Sequence, residues 1–107
     1  MIDQFDDVSI QKKPNVYFDG KSISRVINYP DGTKKTLGVI LPTEYPLKFE
    51  THVHERIEII SGECEIWIGN QENNLFLKTG ESFDVPSNSQ FRIKTNIVVD
   101  YICHLVK

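Results

Sequence analysis

Two histidines and two glutamates lie close together in the middle of the chain, within residues 52–58. His52 and His54 are two residues apart, so their side chains point to the same side of an extended segment, and Glu58 has the same parity. Two imidazoles and a carboxylate suit Zn, Fe, Ni or Mn, and a three-ligand site with open positions is typical of a catalytic metal. One hypothesis is therefore a metal-dependent enzyme, a dioxygenase or an isomerase.

The elements that would position these side chains are predicted to be β-strands. From residue 15 onward, short runs of β-branched and aromatic residues alternate with turn residues at a spacing of roughly 8–12 residues, which indicates an all-β sandwich or barrel. Residues 21–41 are expected to form a hairpin around Pro30 and Gly32. Residues 57–60 are expected to pair with residues 64–68 across a tight turn. We therefore expect an N-terminal arm over residues 1–14 and one β-barrel domain over residues 15–107.

The composition and net charge of the chain make some classes of function unexpected. The 107 residues are 39% hydrophobic and 25% charged, as in an ordinary soluble single domain, and the net charge is −3. Neither nucleic acid nor an anionic membrane surface is an expected partner, because the chain has no basic field. No apolar run approaches the roughly 20 residues that span a bilayer, and no signal peptide is recognisable. Cys64 and Cys103 are predicted to be reduced packing residues of a cytoplasmic protein.

A second group of turn residues follows some thirty residues later. Gly80 and Pro86 are followed by Asn88, and then by Phe91. Together with the two histidines, this arrangement resembles the cupin superfamily, whose two motifs supply the ligands of a metal in a jelly-roll β-barrel. The last metal-binding histidine of the second motif corresponds to Phe91 in this chain. The resemblance thus implies the cupin scaffold without one of its ligands.

The register of the first cupin motif also departs from the metal-binding pattern. Its turn glycine corresponds to Gly62, and counting back from there places the motif's glutamate at Glu55 rather than at Glu58. A one-residue slip in a strand exchanges the two faces. If Glu55 points inwards, His52 and His54 therefore point outwards unless the backbone breaks. The second interpretation is a cupin pocket that contains Glu55 and holds no metal.

Several stretches between residues 15 and 105 together resemble one small family. They are NVYFDGK at 15–21, DGTKKTLGV at 31–39, LPTEY at 41–45, EIISGE at 58–63, GESFDVPSNSQF at 80–91 and DYIC at 100–103. Their combination is similar to the single-domain cupins of the pyrimidine/purine nucleoside phosphorylase family. This resemblance implies a bacterial cytoplasmic enzyme that cleaves nucleosides of both kinds with inorganic phosphate, giving a free base and ribose 1-phosphate. It also implies a homodimer with no metal or organic cofactor.

Phosphorolysis of an N-glycosidic bond requires a group that stabilises an oxocarbenium-like state, as glycoside hydrolysis does. Glu55 is the predicted catalytic carboxylate, because a carboxylate that points into an apolar barrel is costly without a purpose. It could accept hydrogen bonds from the ribose 2′- and 3′-hydroxyls. The alternative is an ion pair at the rim with Arg25 or Arg56.

A phosphate dianion requires cations and hydroxyls. Arg25 is the predicted catalytic cation, with Ser24 or Thr51 beside it and Lys35 as a further candidate. The alternative is that Arg25 is a solvated arginine of the hairpin.

The base requires an aromatic or apolar slot. Phe91, Phe83 and Tyr101 are the predicted substrate-binding aromatics, with the hydrophobic core as the alternative for each. A third hypothesis for the whole protein is a non-catalytic cupin that binds a sugar or a nucleotide.

Overall fold

The protein consists almost entirely of short β-strands, as the spacing of its β-branched and turn residues predicts. The computed structural model describes residues 3–106. Within these residues the strands are β1 (Ser9–Ile10), β2 (Asn15–Tyr17), β3 (Ser22–Asn28), β4 (Lys34–Ile40), β5 (Leu47–Glu50), β6 (His54–Ser61), β7 (Glu63–Ile68), β8 (Leu75–Lys78), β9 (Ser82–Val85), β10 (Gln90–Lys94) and β11 (Val99–Val106), with one 3-10 turn at Phe18–Gly20.

The strands form two antiparallel sheets with the hydrophobic core between them. The larger sheet has the order β1–β3–β4–β11–β6–β9, with β2 also paired to β3, and the smaller has the order β5–β10–β7–β8. Core residues come from both sheets, for example Ile57 and Ile59 from β6 and Ile66 and Ile93 from β7 and β10. The all-β prediction is confirmed. In place of the expected barrel, the strand pairing across residues 3–106 gives two sheets that do not close on each other.

The hairpin expected over residues 21–41 is confirmed as β3 and β4. The two strands pair from Ser22 with Ile40 to Asn28 with Lys34. In the connecting turn the Asp31 carboxylate accepts hydrogen bonds from the backbone N–H and the hydroxyl of Thr33, at 2.9 and 2.7 Å. These bonds lower the pKa of Asp31, because they favour its ionised form.

The hairpin expected between residues 57–60 and 64–68 is wrong. Strand β6 pairs with β11 and β9, whereas β7 pairs with β10 and β8. Gly62 is therefore the point at which the chain passes from one sheet to the other. Its φ of +97° lies in the left-handed region, and a Cβ added to it would lie 2.7 Å from the carbonyl oxygen of Val98. The residue type that suggested a tight turn here makes a corner between sheets.

The N-terminal segment is attached to the edge of the larger sheet. Ser9 and Ile10 pair with β3, and the ring of Phe5 lies edge-on to Tyr29 with 6.4 Å between centroids. The ammonium group of Lys35 lies 5.1 Å from the centre of the Tyr29 ring and 5.8 Å from that of Phe5. No helix within residues 3–106 has the length and apolar character needed to cross a membrane.

Candidate active site

A cavity of about 440 Å³ lies between the two sheets, within the range of about 300–1,000 Å³ that is usual for small-molecule sites. Both sheets contribute to its wall. The wall combines aromatic, aliphatic and polar side chains, namely Tyr17, Phe18, Phe49, Phe91, Tyr101, Ile40, Ile57, Ile93, Leu105, Ser24, Thr36, Lys48, Glu50, His52, Glu55 and Cys103.

Glu55 supplies a carboxylate to the cavity. It shares the inward parity of Ile57 and Ile59 along β6, so the register counted from Gly62 is confirmed. The Cys103 thiol donates a hydrogen bond to Glu55 Oε1 at 3.3 Å. Partial burial raises the pKa of Glu55, and this rise is opposed by the thiol hydrogen bond and by the imidazole of His52.

The two histidines of the opening motif have different surroundings. The backbone bends at residues 52–53, and His52 lines the cavity. His54 begins β6 on the outward side, with Nε2 2.9 Å from Asp84 Oδ1. Glu58 also points outwards, with Oε1 3.1 Å from Nε2 of His104. The three residues of the metal hypothesis therefore do not converge, and residues 3–106 contain no group of three His, Cys, Asp or Glu side chains placed to hold a metal ion.

Aromatic rings form one side of the cavity. Phe91 stacks on Phe49, with 5.3 Å between centroids and an interplanar angle of 16°. Tyr17 and Phe18 both lie edge-on to the Phe49 ring. Phe83 lies edge-on to Phe91 at 5.4 Å but does not line the cavity. The predicted Phe91 is thus part of a larger aromatic wall.

Phe18 reaches this wall through an unusual backbone conformation. Its φ is +53°, in the left-handed region that aromatic residues seldom adopt. Asp19 and Gly20 follow with positive φ values as well. The consequence is a tight turn that brings the rings of Tyr17 and Phe18 together at the Phe49 ring.

Tyr101 occupies the space that Gly38 leaves open. The two residues are paired across β4 and β11, and a Cβ at Gly38 would lie 2.6 Å from the Tyr101 hydroxyl oxygen. Burial raises the pKa of Tyr101 to about 12, although the hydroxyls of Ser22 and Ser24 oppose the rise. The phenol is therefore neutral at physiological pH and can donate a hydrogen bond.

The chain also matches a known family along most of its length. The family model described as "Pyrimidine/purine nucleoside phosphorylase" matches residues 12–105. The chain belongs to the pyrimidine/purine nucleoside phosphorylase family. The family resemblance of the sequence stretches is thereby confirmed.

Relatives in this family are similar over nearly their whole length. A pyrimidine/purine nucleoside phosphorylase of Acinetobacter baumannii is 59% identical over 95% of this chain and 94% of its own. One from Methylococcus capsulatus is 46% identical over 94% of this chain and 96% of its own. A crystal structure of a protein of unknown function from Acinetobacter sp. ADP1 superposes with a TM-score of 0.95, at 58% identity, and covers 96% of this chain and 98% of that one.

In this member of the phosphorylase family, the cavity brings together only part of the predicted site. Glu55, Ser24, Phe91 and Tyr101 line it. Phe83 lies behind Phe91.

The other predicted polar residues lie elsewhere. Arg25 is exposed on the face of β3 opposite to Ser24. The ammonium group of Lys35 lies over the rings of Phe5 and Tyr29. Thr51 is buried, where its hydroxyl donates to the carbonyl of Pro86 at 2.6 Å and accepts from the Ser89 N–H at 3.0 Å. Thr51 therefore fastens the chain just before His52.

Sequence reasoning missed most of the aromatic wall and did not place His52 in the cavity. Phe49 shares strand parity with the buried Leu47, which is a signal that could have been used. Lys48 and His52 are the lysine and the histidine of the lining. Lys48 is paired with Arg92 and has the opposite parity to the inward Phe49, so its side chain points away from the aromatic wall. His52 was noticed only as part of a metal motif, since the bend at residues 52–53 is not evident from the sequence.

Proposed function

We propose that the protein is a nucleoside phosphorylase of broad specificity, a pentosyltransferase that cleaves purine and pyrimidine nucleosides with inorganic phosphate. The products would be a free base and ribose 1-phosphate. The observation that carries the proposal is the pairing, in one cavity, of the Glu55 carboxylate with the stacked rings of Phe49 and Phe91. Membership of the phosphorylase family supports the same reaction.

Glu55 is the proposed catalytic group. Carboxylates accept hydrogen bonds from vicinal hydroxyls, so Glu55 can hold the ribose 2′- and 3′-hydroxyls. The same negative charge stabilises the cation that develops on the ribose as the glycosidic bond breaks. Because the surrounding wall is largely apolar, this attraction is stronger than it would be in water.

The aromatic wall is the proposed base site. Stacking on an aromatic ring does not depend strongly on the identity of the base, because every purine and pyrimidine presents a flat π-face. Phe91 and Phe49 lie nearly parallel, and the exposed edges of Tyr17 and Phe18 extend the apolar surface towards solvent. A site built from rings rather than from base-specific hydrogen bonds accounts for acceptance of both base classes.

The phosphate is proposed to bind beside His52, whose imidazole can donate a hydrogen bond to it. The hydroxyls of Ser24 and Thr36 line the same cavity and can donate as well. Arg25, the cation predicted from sequence, lies on the other face of its strand and has no part in this proposal.

The proposal also covers the fold family, the assembly and the location of the protein. The two sheets are proposed to be a cupin-type jelly roll, with a homodimer as the functional unit and the cytoplasm as its location. The chemistry assigned to Glu55 and to the aromatic wall does not depend on the dimer.

The test is phosphate-dependent release of base. Purified, EDTA-treated protein is incubated with uridine or adenosine, with and without inorganic phosphate, and free base and ribose 1-phosphate are measured by chromatography. We expect base release only when phosphate is present, in equal amount to ribose 1-phosphate. We also expect Glu55→Gln to lower kcat/KM by at least about a hundredfold, as loss of an electrostatic stabiliser does in other enzymes.

A matched variant separates the role of Glu55 from that of net charge. Glu72→Gln removes one negative charge from the exposed loop between β7 and β8 and is expected to keep wild-type activity. Absence of base release by the wild-type protein contradicts the proposed reaction. Full activity of a folded Glu55→Gln protein contradicts the assigned role of the carboxylate.

A further inference from the structure

We propose that Cys103 is a positioning residue whose thiol holds the Glu55 carboxylate in its catalytic orientation. This inference rests on the proposed function, because it concerns the carboxylate that is assigned to the ribose. Cys103 itself is not assigned a contact with substrate or a covalent step. The interpretation differs from the packing role predicted from sequence.

The strand pairing brings the two side chains together. β11 runs antiparallel to β6, with Cys103 opposite Ile57 and Leu105 opposite Glu55. Cys103 and Glu55 are thus diagonal neighbours on the inward face, a relation that permits side-chain contact. Both line the cavity, and Sγ lies 3.3 Å from Oε1. Cys103 is only 7% exposed, so the donor is held in place by its surroundings.

The chemistry of the thiol fits a donor rather than a nucleophile. Burial and the adjacent carboxylate both raise the pKa of Cys103, so the sulfur keeps its proton at physiological pH. A protonated thiol is a weak donor, and an ionised carboxylate is a strong acceptor. The hydrogen bond fixes one oxygen of Glu55 and limits rotation of the carboxylate, which preorganises the group before substrate binds.

Other titratable groups face the same space. They are distributed over β2, β5, the bend before β6 and β11, namely Tyr17, Lys48, Glu50, His52 and Tyr101. Of these, His52 favours the ionised form of Glu55, as the thiol does. A test of Cys103 must therefore follow the ionisation of Glu55 directly and keep His52 unchanged.

Three variants separate positioning from packing. Cys103→Ala removes the donor, Cys103→Ser retains a donor of similar size, and Cys64→Ala removes the other buried thiol, which lies outside the cavity. We expect Cys103→Ala to lower kcat/KM for phosphorolysis by about three- to tenfold, the effect of losing one modest hydrogen bond. The acid limb of its pH profile should move to higher pH, because the ionised Glu55 loses a donor. Cys103→Ser should restore most of both properties, and Cys64→Ala should leave them unchanged.

A second measurement does not need enzymatic activity. The side-chain carboxyl carbon of Glu55 is followed by ¹³C NMR through a pH titration of the wild type and of each variant. We expect a higher Glu55 pKa in Cys103→Ala than in the wild type, and a return towards the wild-type value in Cys103→Ser. An unchanged pKa in Cys103→Ala overturns the inference whether or not the wild type releases base. A changed pKa without base release supports the hydrogen bond and contradicts the proposed reaction alone.

Discussion

At the scale of single residues, the partly buried position of Glu55 suits its proposed catalytic role but lowers the stability of the folded protein. Partial burial raises its pKa above the ordinary value of 4.5. The folded protein therefore binds the Glu55 proton more tightly than the unfolded chain does, and it loses this advantage as the pH rises through the folded-state pKa. Above the folded-state pKa the ionised carboxylate lies in a partly apolar cavity, which lowers the free energy of unfolding.

This linkage predicts the behaviour of Glu55→Gln. The neutral amide avoids the cost of ionisation, so the variant should have a higher melting temperature than the wild type at pH 7. The difference should shrink as the pH falls towards and below 4.5, where the wild-type carboxyl also becomes protonated. Calorimetric melting between pH 4 and pH 8 measures it, with Glu72→Gln as the control for net charge. A destabilised Glu55→Gln protein at pH 7 would mean that the carboxylate stabilises the fold.

Glu55 and His52 differ in how well the sequence alone predicts the position of the side chain. The inward orientation of Glu55 could be predicted, because the cupin motif counted back from Gly62 places its glutamate there, and strand parity then gives it the same face as Ile57 and Ile59. The position of His52 could not, because it depends on the bend at residues 52–53 and on the bonds of Thr51 to a distant turn. The alternation of side chains between the two faces can be counted along a strand, but not past the end of the strand.

At the scale of secondary-structure elements, the shape of the cavity depends on how β4 and β11 fit together. Gly38 and Tyr101 are directly opposite each other, and the tyrosine ring covers the glycine. A Cβ at position 38 would lie 2.6 to 2.8 Å from three atoms of the phenol. The ring would have to move, and with it part of the cavity wall.

We therefore expect Gly38→Ala to destabilise the protein by about 1–3 kcal/mol, the usual cost of an overpacked interior. A double-mutant cycle identifies the cause. In a Tyr101→Ala background the phenol is absent, so the added methyl group should cost little. Urea unfolding of the four proteins gives the coupling free energy. An equal cost in both backgrounds would show that contact with Tyr101 is not responsible.

Individual strands and local hairpins could be predicted better than the pairing of strands that are distant in the sequence. The β3–β4 hairpin was predicted because its turn chemistry is local, with Asp31 bonding Thr33. The aromatic wall was not predicted as a whole, since Phe49 on β5 meets Phe91 on β10 only through pairing of distant segments. Arg25 shows the reverse case, because its residue type suits a phosphate, whereas it is exposed on the face of β3 opposite to the cavity-lining Ser24.

At the scale of the whole molecule, the arrangement depends on where the chain leaves one sheet for the other. The sequence around Gly62 has the residues of a tight hairpin, but the strands on its two sides do not pair with each other. Strand β6 pairs with β11 and β7 pairs with β10, and both of these partners lie far along the chain. Turn residues specify a change of direction but not the strand that will be paired afterwards. For this reason the all-β class could be predicted, whereas the assignment of each strand to one of the two sheets could not.

The corner at Gly62 yields a prediction with an internal control. Gly62 and Gly80 both have left-handed φ values, +97° and +90°, but only Gly62 is crowded, with the Val98 carbonyl oxygen 2.7 Å from an added Cβ. Alanine at either position incurs backbone strain of about 1–3 kcal/mol, and at position 62 it also pushes β6 and β7 away from the residues before β11. We expect Gly62→Ala to lower the free energy of unfolding by about 1–3 kcal/mol more than Gly80→Ala does, as measured by urea denaturation. Equal losses would mean that position 62 needs glycine for its backbone conformation alone, and that the Val98 carbonyl can move away from an added methyl group without cost.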